Sequence, residues 1–410
     1  MTAGILNDVS LGYRLLWNVR RQVAGVTLSL HPGTGRSLDA GHLLTALAEQ
    51  WSAHAVPLTL TTDSSELLAD LLDLAPSALA HIGVPEHLLH TPAIAQRVLR
   101  ASQRGLRMLW YGDPGARLKP AYASCFAQTV MNLTADEALM CLHLSRIPPK
   151  AAGALPQTDA PVQRDQVVEG VANAALANYC LDQQSASALL DWPTDDVLHA
   201  YRRSRVQPSQ LGVSRLMRLI RTEAPMDDVE NALNQEPSLV YRFLRYTNSA
   251  GLGLNREITE LRHGLMVLGL SRLKTWAQEQ RALASHDLNL QPITTQMVLR
   301  ARFMTELLGD GTNSALAREL AMCGLLSQID LLTGEPLQVA LHAIPLPERI
   351  SAALLDQSGP YWPYLEIAIA LENGQPQAAR AAGDKHGFDQ ERINMALLST
   401  LSAQRADSGD

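Results

Sequence analysis

The spacing of apolar residues changes character near the middle of this 410-residue chain. Up to about residue 145, short apolar runs alternate with stretches of helical spacing; the runs are 23–30, 56–60, 105–111 and 129–133. From residue 211 onward, apolar residues recur almost only at helical spacing. Strands that alternate with helices favour βα units around a parallel sheet. The first half is therefore predicted to be α/β and the second half all-helical.

The connecting segments divide the chain into two predicted domains. Helices are expected over 41–51, 64–74 and 91–104, between the predicted strands. Four prolines within 147–162 predict a loop or linker. We predict one domain over residues 1–200 and a second over 205–402, with a frayed tail at 403–410.

The second half contains clear sequence signals for the starts and ends of helices. Asp227 opens an acidic variant of the capping box, and the helix that follows it is expected to stop before Pro237. Pro237 begins the next helix, which should end near Asn248. A further helix is predicted over about 258–268, and Gly269 marks either its end or a close contact between helices.

Composition limits the class of protein. Hydrophobic residues make up 46% and charged residues 18% of the chain, which excludes a disordered or collagen-like polymer. The net charge of −7 argues against a protein that coats nucleic acid. No apolar run approaches the ~20 residues of a membrane span, and no basic leader is present, so a cytoplasmic protein without membrane contact is expected. The four cysteines lack any CxxC pair and are predicted to be reduced and buried: Cys125, Cys141, Cys180 and Cys323.

A motif of about forty residues, 236–276, resembles the HDOD family. The family pattern is matched in spacing by Pro237, Leu239, Arg242, Leu244, Asn248, Ser249, Ile258, Leu268 and Gly269. The resemblance implies an all-helical domain related to metal-dependent HD phosphohydrolases that has lost its metal ligands. The Asn248-Ser249 pair is expected to fix the geometry of two helices by satisfying backbone groups at their ends.

The position of the family's His-Asp pair can be read in this chain. The aligned stretch, 324–331, has Ser327 and Gln328 at those two places. Neither side chain supplies the imidazole or carboxylate that holds a divalent metal, and Asp330 alone would not do so. No metal is expected there.

The first half resembles the EAL domain of cyclic di-GMP phosphodiesterases, a βα barrel. Residues 12–17, GYRLLW, match the family's Gly-Tyr-Glu-Leu-Leu opening, with Arg14 in place of the metal-binding Glu and a truncated strand expected before Gly12. Trp110 and Tyr111 replace the family's Asp-Asp pair. Together the two resemblances suggest a bacterial signalling family with EAL and modified HD-GYP domains.

Other functional positions of the EAL pattern are also lost. The expected Asn is missing from 56–68 and the catalytic Lys from 129–133, while Glu169 is retained and Ala172 replaces a second Glu. Residues 188–193 occupy the place of the closing Gln-Gly segment. Two-metal phosphodiester hydrolysis needs several carboxylates, so this domain is predicted to be non-catalytic and to use no cofactor.

Two further groups of residues, histidines and arginines, are candidate sites. His81, His87 and His90 lie within ten residues but lack further ligands, so surface histidines are favoured; His263 is interpreted as a helix-surface residue. The most basic region contains Arg202, Arg203, Arg205, Arg215, Arg218 and Arg221. The last three repeat at i, i+3, i+6 and could meet phosphates, although a solvated helix face is favoured.

These observations predict a non-catalytic bacterial signalling scaffold that acts by contacts with unidentified protein partners, in a pathway linked to cyclic di-GMP. The alternative is a receptor that binds cyclic di-GMP without cleaving it, through Arg14 or the basic stripe. A residual hydrolase using Asp113 and Glu169 is the third hypothesis. Nucleic acid is not an expected partner.

Overall fold

The chain forms two compact units. The computed structural model describes residues 3–33, 38–146, 161–201, 207–252, 257–309 and 314–405. One unit, the barrel unit, comprises Met1–Asp196 together with Ile369–Asp410, and the other, the helical unit, comprises Val197–Ala368. Along the sequence, the helical unit is therefore inserted between two parts of the barrel unit.

Eight strands close into a barrel in sequence order. They are β1 (Val9–Trp17), β2 (Val23–Pro32), β3 (Leu58–Thr61), β4 (His81–Pro85), β5 (Met108–Tyr111), β6 (Gln128–Asn132), β7 (Val167–Glu169) and β8 (Ala188–Leu190). Strand β1 is antiparallel to both β2 and β8, and the other neighbours are parallel. The carboxyl ends of β2–β8 therefore meet at one end of the barrel, the end at which barrel proteins place their functional groups.

Helices follow most of the parallel strands. They are α1 (Ala40–Gln50), α2 (Ser65–Leu74), α3 (Glu86–Leu89), α4 (Pro92–Gln103), α5 (Ala135–Ser145) and α6 (Ala174–Asn178). The side chains of Asp39 and Ser64 cap α1 and α2, and Thr134 with Glu137 forms a reciprocal capping box at α5. Aliphatic residues from five strands form one buried cluster: Leu16, Leu109, Val130, Val167, Ala188 and Leu190.

The α/β prediction for the first half is confirmed, with local corrections. The four predicted strands correspond to β2, β3, β5 and β6, and the three predicted helices to α1, α2 and α4. The sequence pattern did not predict strand β7 at Val167–Glu169. The GYRLLW segment lies inside β1 and is not preceded by another described strand. A three-residue strand such as β7 is too short to show a period.

The second half is helical, as predicted. Its helices are α7 (Thr194–His199), α8 (Gln210–Arg221), α9 (Met226–Asn234), α10 (Pro237–Thr247), α11 (Leu261–Leu283), α12 (Gln291–Leu308), α13 (Ser314–Leu326), α14 (Ile329–Thr333), α15 (Leu337–His342), α16 (Glu348–Leu355) and α17 (Trp362–Glu372). Helix α11 is broken at Gly269, whose φ of 71° lies in the region that favours glycine. The space beside Gly269 is open, so this glycine ends a helical segment and does not mediate a close helix contact.

The last two helices, α18 (Pro376–His386) and α19 (Gln390–Ser402), belong to the barrel unit. The buried Asn394 donates from Nδ2 to the carbonyl oxygens of Leu6 and Val9, both at 2.8 Å. The backbone N–H of Glu391 donates to Oδ1 of Asn7 at 2.9 Å. The division into compact units thus differs from the sequence-based one, which assigned everything from 205 to 402 to the second domain.

Several other expectations can be placed. All four cysteines are free and buried, as predicted. Among the described residues, none of the helices is both long enough and apolar enough to span a bilayer. Most of the predicted linker, residues 147–160, lies outside the described residues, as do 406–410 of the predicted tail. Arg405 is described and forms an isolated bridge with Ala55.

Candidate functional site

Polar side chains from five strands or strand ends meet within the barrel. Arg14 lies on β1 directly opposite Thr27 on β2. Tyr111 is the last residue of β5, Glu169 is the last residue of β7, and Asp191 follows β8. We call these five residues the barrel-mouth cluster. The closed strand order brings them together although they are spread over 178 positions of the sequence from 14 to 191, counted inclusively.

The guanidinium of Arg14 bridges the two carboxylates of this cluster. Its Nη2 lies 2.7 Å from Oε1 of Glu169 and 2.6 Å from Oδ2 of Asp191, and its Nε donates to the same Asp191 oxygen at 2.8 Å. Burial alone would lower the pKa of Arg14, but Asp191 and Glu169 outweigh burial and raise it. Arg14 therefore stays charged, and its Nε and Nη2 atoms pair with two carboxylates.

The remaining two members of the cluster are uncharged. Burial raises the pKa of Tyr111 to about 12, so its phenol is neutral at physiological pH. The Tyr111 hydroxyl and Oγ1 of Thr27 lie 3.0 Å apart in a hydrogen bond. The cluster as a whole carries one positive and two negative charges.

The strand order also shows where the GYRLLW segment, which contains Arg14, lies in the barrel. The resemblance placed GYRLLW in a strand preceded by another, whereas in the structure this segment is part of the first strand. The residue of the second strand at the same level is Thr27. Neither Arg14 nor Thr27 is a carboxylate, so β1 and β2 contribute no acidic group to the barrel-mouth cluster.

A buried carboxylate, Glu86, lies just after β4. The indole Nε1–H of Trp110 donates to Glu86, and Nε2 of His90 lies 3.3 Å from its other oxygen. His81 begins β4, at the opposite end of that strand from His90, and burial followed by the charge of Arg107 lowers its pKa. The histidines 81, 87 and 90 do not converge on one point. Within the described residues, no group of three or more His, Cys, Asp or Glu side chains is arranged to hold a metal ion.

In the helical unit, Asn248 joins two segments of backbone. Its Nδ2 donates to the carbonyl oxygens of Leu244 and Ile258, both at 2.8 Å, and its Oδ1 accepts from the Ile258 N–H at 2.8 Å. Oγ of Ser249 donates to the carbonyl of Tyr246 at 2.7 Å. Asn248 thus caps the end of α10 and fixes the segment that leads into α11, a structural role.

Other motif residues surround this joint. Pro237 occupies the first turn of α10, and Leu239, Leu244, Ile258 and Leu268 are buried. Nη2 of Arg242 donates to Oε1 of Gln207 at 2.5 Å.

The acidic residue before Pro237 is also buried. Glu236 accepts hydrogen bonds from the hydroxyl and N–H of Ser209, the residue that caps α8. Burial raises the pKa of Glu236 to about 7, and the hydrogen bonds from Ser209 only partly offset that effect. The Glu236 side chain packs over Gly212, where a Cβ would lie 2.3 Å from it. These contacts join the start of α8 to the start of α10.

At the position of the family's His-Asp pair, an arginine and a serine form a hydrogen bond in place of a metal site. The buried Arg300 donates from Nη1 to Oγ of Ser327 at 2.7 Å, and that hydroxyl donates to the carbonyl of Gly324 at 2.7 Å. Gln328 precedes α14 as its cap residue. Burial raises the pKa of Asp330, and the charge of Arg300 works in the opposite direction. Sequence reasoning did not identify Arg300, since no motif marks it within α12.

The basic residues of α8 are isolated from acidic ones. Arg215, Arg218 and Arg221 are exposed, and the guanidinium of none of them forms an ion pair or hydrogen bond with a described residue. Arg202, Arg203 and Arg205 lie outside the described residues.

Two other candidate residues are His263 and Asp113. His263 is exposed. The carboxylate of Asp113 forms no ion pair with a described residue, so the structure does not join it to Glu169.

Comparison with known proteins identifies part of the helical unit. Residues 211–335 match the family model of the HDOD domain. The chain is 24% identical over 179 residues to the uncharacterized protein YuxH of Bacillus subtilis, a match covering 42% of each chain. It is 25% identical over 173 residues to the cyclic di-GMP phosphodiesterase CdgJ of Vibrio cholerae, covering 42% of this chain and 39% of CdgJ. The matches therefore span less than half the length of either relative.

A solved structure was also found, the MmoQ response regulator from Methylococcus capsulatus. It shares 15% identity, and the match covers 49% of this chain and 72% of that one with a TM-score of 0.27, which supports no statement about the fold. The EAL-like interpretation of the barrel unit stays a prediction. The chain carries an HDOD domain at residues 211–335.

Proposed function

We propose that this protein is a non-catalytic regulator that acts by binding other proteins, in a signalling pathway linked to cyclic di-GMP. The HDOD domain and the similarity to a cyclic di-GMP phosphodiesterase support the signalling part of the proposal. The bridge that Arg14 makes between Glu169 and Asp191 is the observation that carries the non-catalytic part.

The barrel-mouth cluster is arranged unfavourably for metal-dependent hydrolysis. Such hydrolysis requires carboxylates that are available to hold divalent ions and so lower the pKa of an attacking water. Here the two carboxylates already bind a fixed cation, Arg14. An entering metal ion would have to displace the guanidinium and then lie beside its positive charge.

The helical unit supports the same proposal. At the predicted His-Asp position, the hydroxyl of Ser327 binds Arg300, another permanent cation. The side chain of the motif residue Asn248 forms hydrogen bonds with backbone groups of Leu244 and Ile258. These polar groups of the helical unit are therefore engaged within the fold, and we infer that the unit acts through its surface.

The receptor alternative gains no support from Arg14. A guanidinium that replaces metal ions at phosphates must be free to pair with them. Arg14 is occupied by two carboxylates, and the cluster has a net charge of one negative unit, which would repel a cyclic dinucleotide. The receptor hypothesis would then depend on the arginines of α8.

Calorimetric titration of the full chain with cyclic di-GMP, with and without magnesium, tests the proposal. We expect no saturable heat in either condition. Saturable binding at micromolar ligand would contradict the scaffold proposal. A matched pair of variants, Arg14→Met in the barrel mouth and Arg218→Gln on α8, would then show which site takes the ligand.

A further inference from the structure

The exposed side of α8 carries an unusual arrangement of charge. The helix contains three arginines and no acidic residue. Gly212, Val213, Leu216 and Ile220 are buried, so its inner side is fixed by packing. The outward side carries Arg215, Arg218 and Arg221 with the exposed Leu211, and we call these four residues the α8 basic face.

Some exposed or half-buried arginines elsewhere in the described chain have acidic partners. Arg97 pairs with Asp73, Arg117 with Glu137, and Arg349 with Glu319. Next to α8 in sequence, α9 supplies Asp227 and Glu230 to Arg262, and these carboxylates are therefore already engaged.

The α8 basic face has no such neutralisation. Like charges at helical spacing of three or four residues destabilise a helix, so three unpaired arginines carry a small cost that a partner of opposite charge would remove. The first carboxylate that follows these arginines in sequence belongs to Glu223. It lies beyond the end of α8 and forms no ion pair with the three arginines.

We propose that the α8 basic face is a docking site for an acidic amphipathic helix of a partner protein. This inference rests on the proposed function and specifies one surface and the chemistry of its partner. Arg215 and Arg221 are separated by six residues, about 9 Å along the helix axis, which matches carboxylates repeated on successive turns of a second helix. Leu211 is 66% exposed and extends the face with an apolar contact.

One observation favours an acidic helix over nucleic acid. A phosphate backbone would contact the arginines but offers no apolar group to Leu211, whereas an amphipathic helix presents both kinds of side chain along one face.

The test uses the full chain and a synthetic helical peptide of about 20 residues, with glutamates at i, i+3, i+4 and i+7 and leucines beside them. A peptide with glutamine at those places is the neutral control. Fluorescence anisotropy should show saturable binding of the glutamate peptide, weakening at least tenfold between low salt and 0.5 M salt because the contacts are charged and exposed. Equal binding of the neutral peptide would overturn the proposal.

Variants locate the binding. The triple variant Arg215→Gln, Arg218→Gln, Arg221→Gln should weaken binding at least tenfold. The triple variant Arg100→Gln, Arg107→Gln, Lys119→Gln makes the same change in net charge at exposed residues of the barrel unit and should leave binding within twofold. The reversal Arg215→Glu, Arg218→Glu, Arg221→Glu should instead bind a lysine version of the peptide. Loss of binding in both glutamine variants alike would contradict the proposed site.

Two further measurements separate the possible failures. Tighter binding of single-stranded DNA than of the glutamate peptide, through the same three arginines, would replace the acidic helix by nucleic acid and overturn the inference. Absence of peptide binding would overturn it as well. Turnover of cyclic di-GMP by the same preparation would contradict the non-catalytic proposal and would leave the peptide result unaffected.

Discussion

The barrel unit and the helical unit each place an arginine in a polar site, but the two arginines differ in environment. Arg14 has a side chain that is 36% exposed and binds two carboxylates. Arg300 is 5% exposed and donates to the neutral hydroxyl of Ser327. One charge is therefore neutralised near solvent, while the other is held in the interior by hydrogen bonds.

The difference bears on what each arginine does for the molecule. An exposed ion pair contributes little to stability, because water screens it and the side chains lose entropy. A buried charge requires its partners, and removing either side leaves a costly group in the interior. Arg14 is thus expected to determine chemistry at the barrel mouth, and Arg300 to determine the stability of the helices around it.

The largest effect on stability should come from deleting the two C-terminal helices, which belong to the barrel unit although they follow the helical unit in sequence. Deleting residues 375–410 removes α18 and α19, and with them the buried Ile393, Leu397 and Leu401 and the hydrogen bonds of Asn394. We expect the barrel unit to lose its protection from hydrogen exchange while the helical unit keeps its own. Deleting only 406–410 should leave both unchanged. A protected barrel in the longer deletion would contradict the assignment of these helices.

The next largest effect should follow substitution of the buried arginine. Arg300→Met removes the donor to Ser327 and should lower the free energy of unfolding of the helical unit by about 3 kcal/mol, since a charged donor is lost from a buried network. The exposed neighbour Arg302, substituted in the same way, should cost about 0.5 kcal/mol or less. Denaturant titration compares the two variants. Equal losses would show that burial does not distinguish them.

A pH dependence that originates at Glu236 should appear in the helical unit. The pKa of Glu236 is about 7 in the folded chain, above its ordinary value of 4.5, so the folded state holds a proton that the unfolded state has released. The free energy of unfolding should therefore fall by about 2–3 kcal/mol as the pH rises from 4.5 to 7.

The variant Glu236→Gln should lose this pH dependence, and the exposed Glu279→Gln should retain it. Hydrogen exchange of α8 and α10, measured across the pH range, checks both variants. A pH profile unchanged by Glu236→Gln would assign the effect to another group.

The smallest effect on stability should be at the barrel mouth. Arg14→Met removes the bridge between Glu169 and Asp191 and should change the free energy of unfolding of the barrel unit by about 1 kcal/mol or less, because the pair is partly exposed. A loss as large as that of Arg300→Met would break the comparison between the two arginines.

The sequence predicted more of the framework than of the sites. Longer strands such as β2 and helices such as α2 have periods that a reader can count, and the break at Gly269 followed from its residue type. The strand β7 has only three residues and no measurable period. The sequence also did not predict that α18 and α19 belong to the barrel unit, because an amphipathic pattern does not specify which unit covers the apolar face.

The same limit applied to the polar clusters. The retained Glu169 and the replacement at position 14 were visible in the motif, but Asp191 was not identified because it follows a short strand with no pattern of its own. Its contact with Arg14 depends on closure of the barrel between β1 and β8, which a linear sequence does not display. Arg300 meets Ser327 across two helices for the same reason.

Turnover of cyclic di-GMP is the most direct test of the central claim, that Arg14 occupies the carboxylates of the barrel mouth and prevents catalysis. The full chain would be incubated with the dinucleotide and manganese or magnesium, and the linear product quantified by chromatography against a preparation of Glu169→Gln. We expect no product above the level of that variant. Product that forms in proportion to protein and disappears in Glu169→Gln would contradict the account.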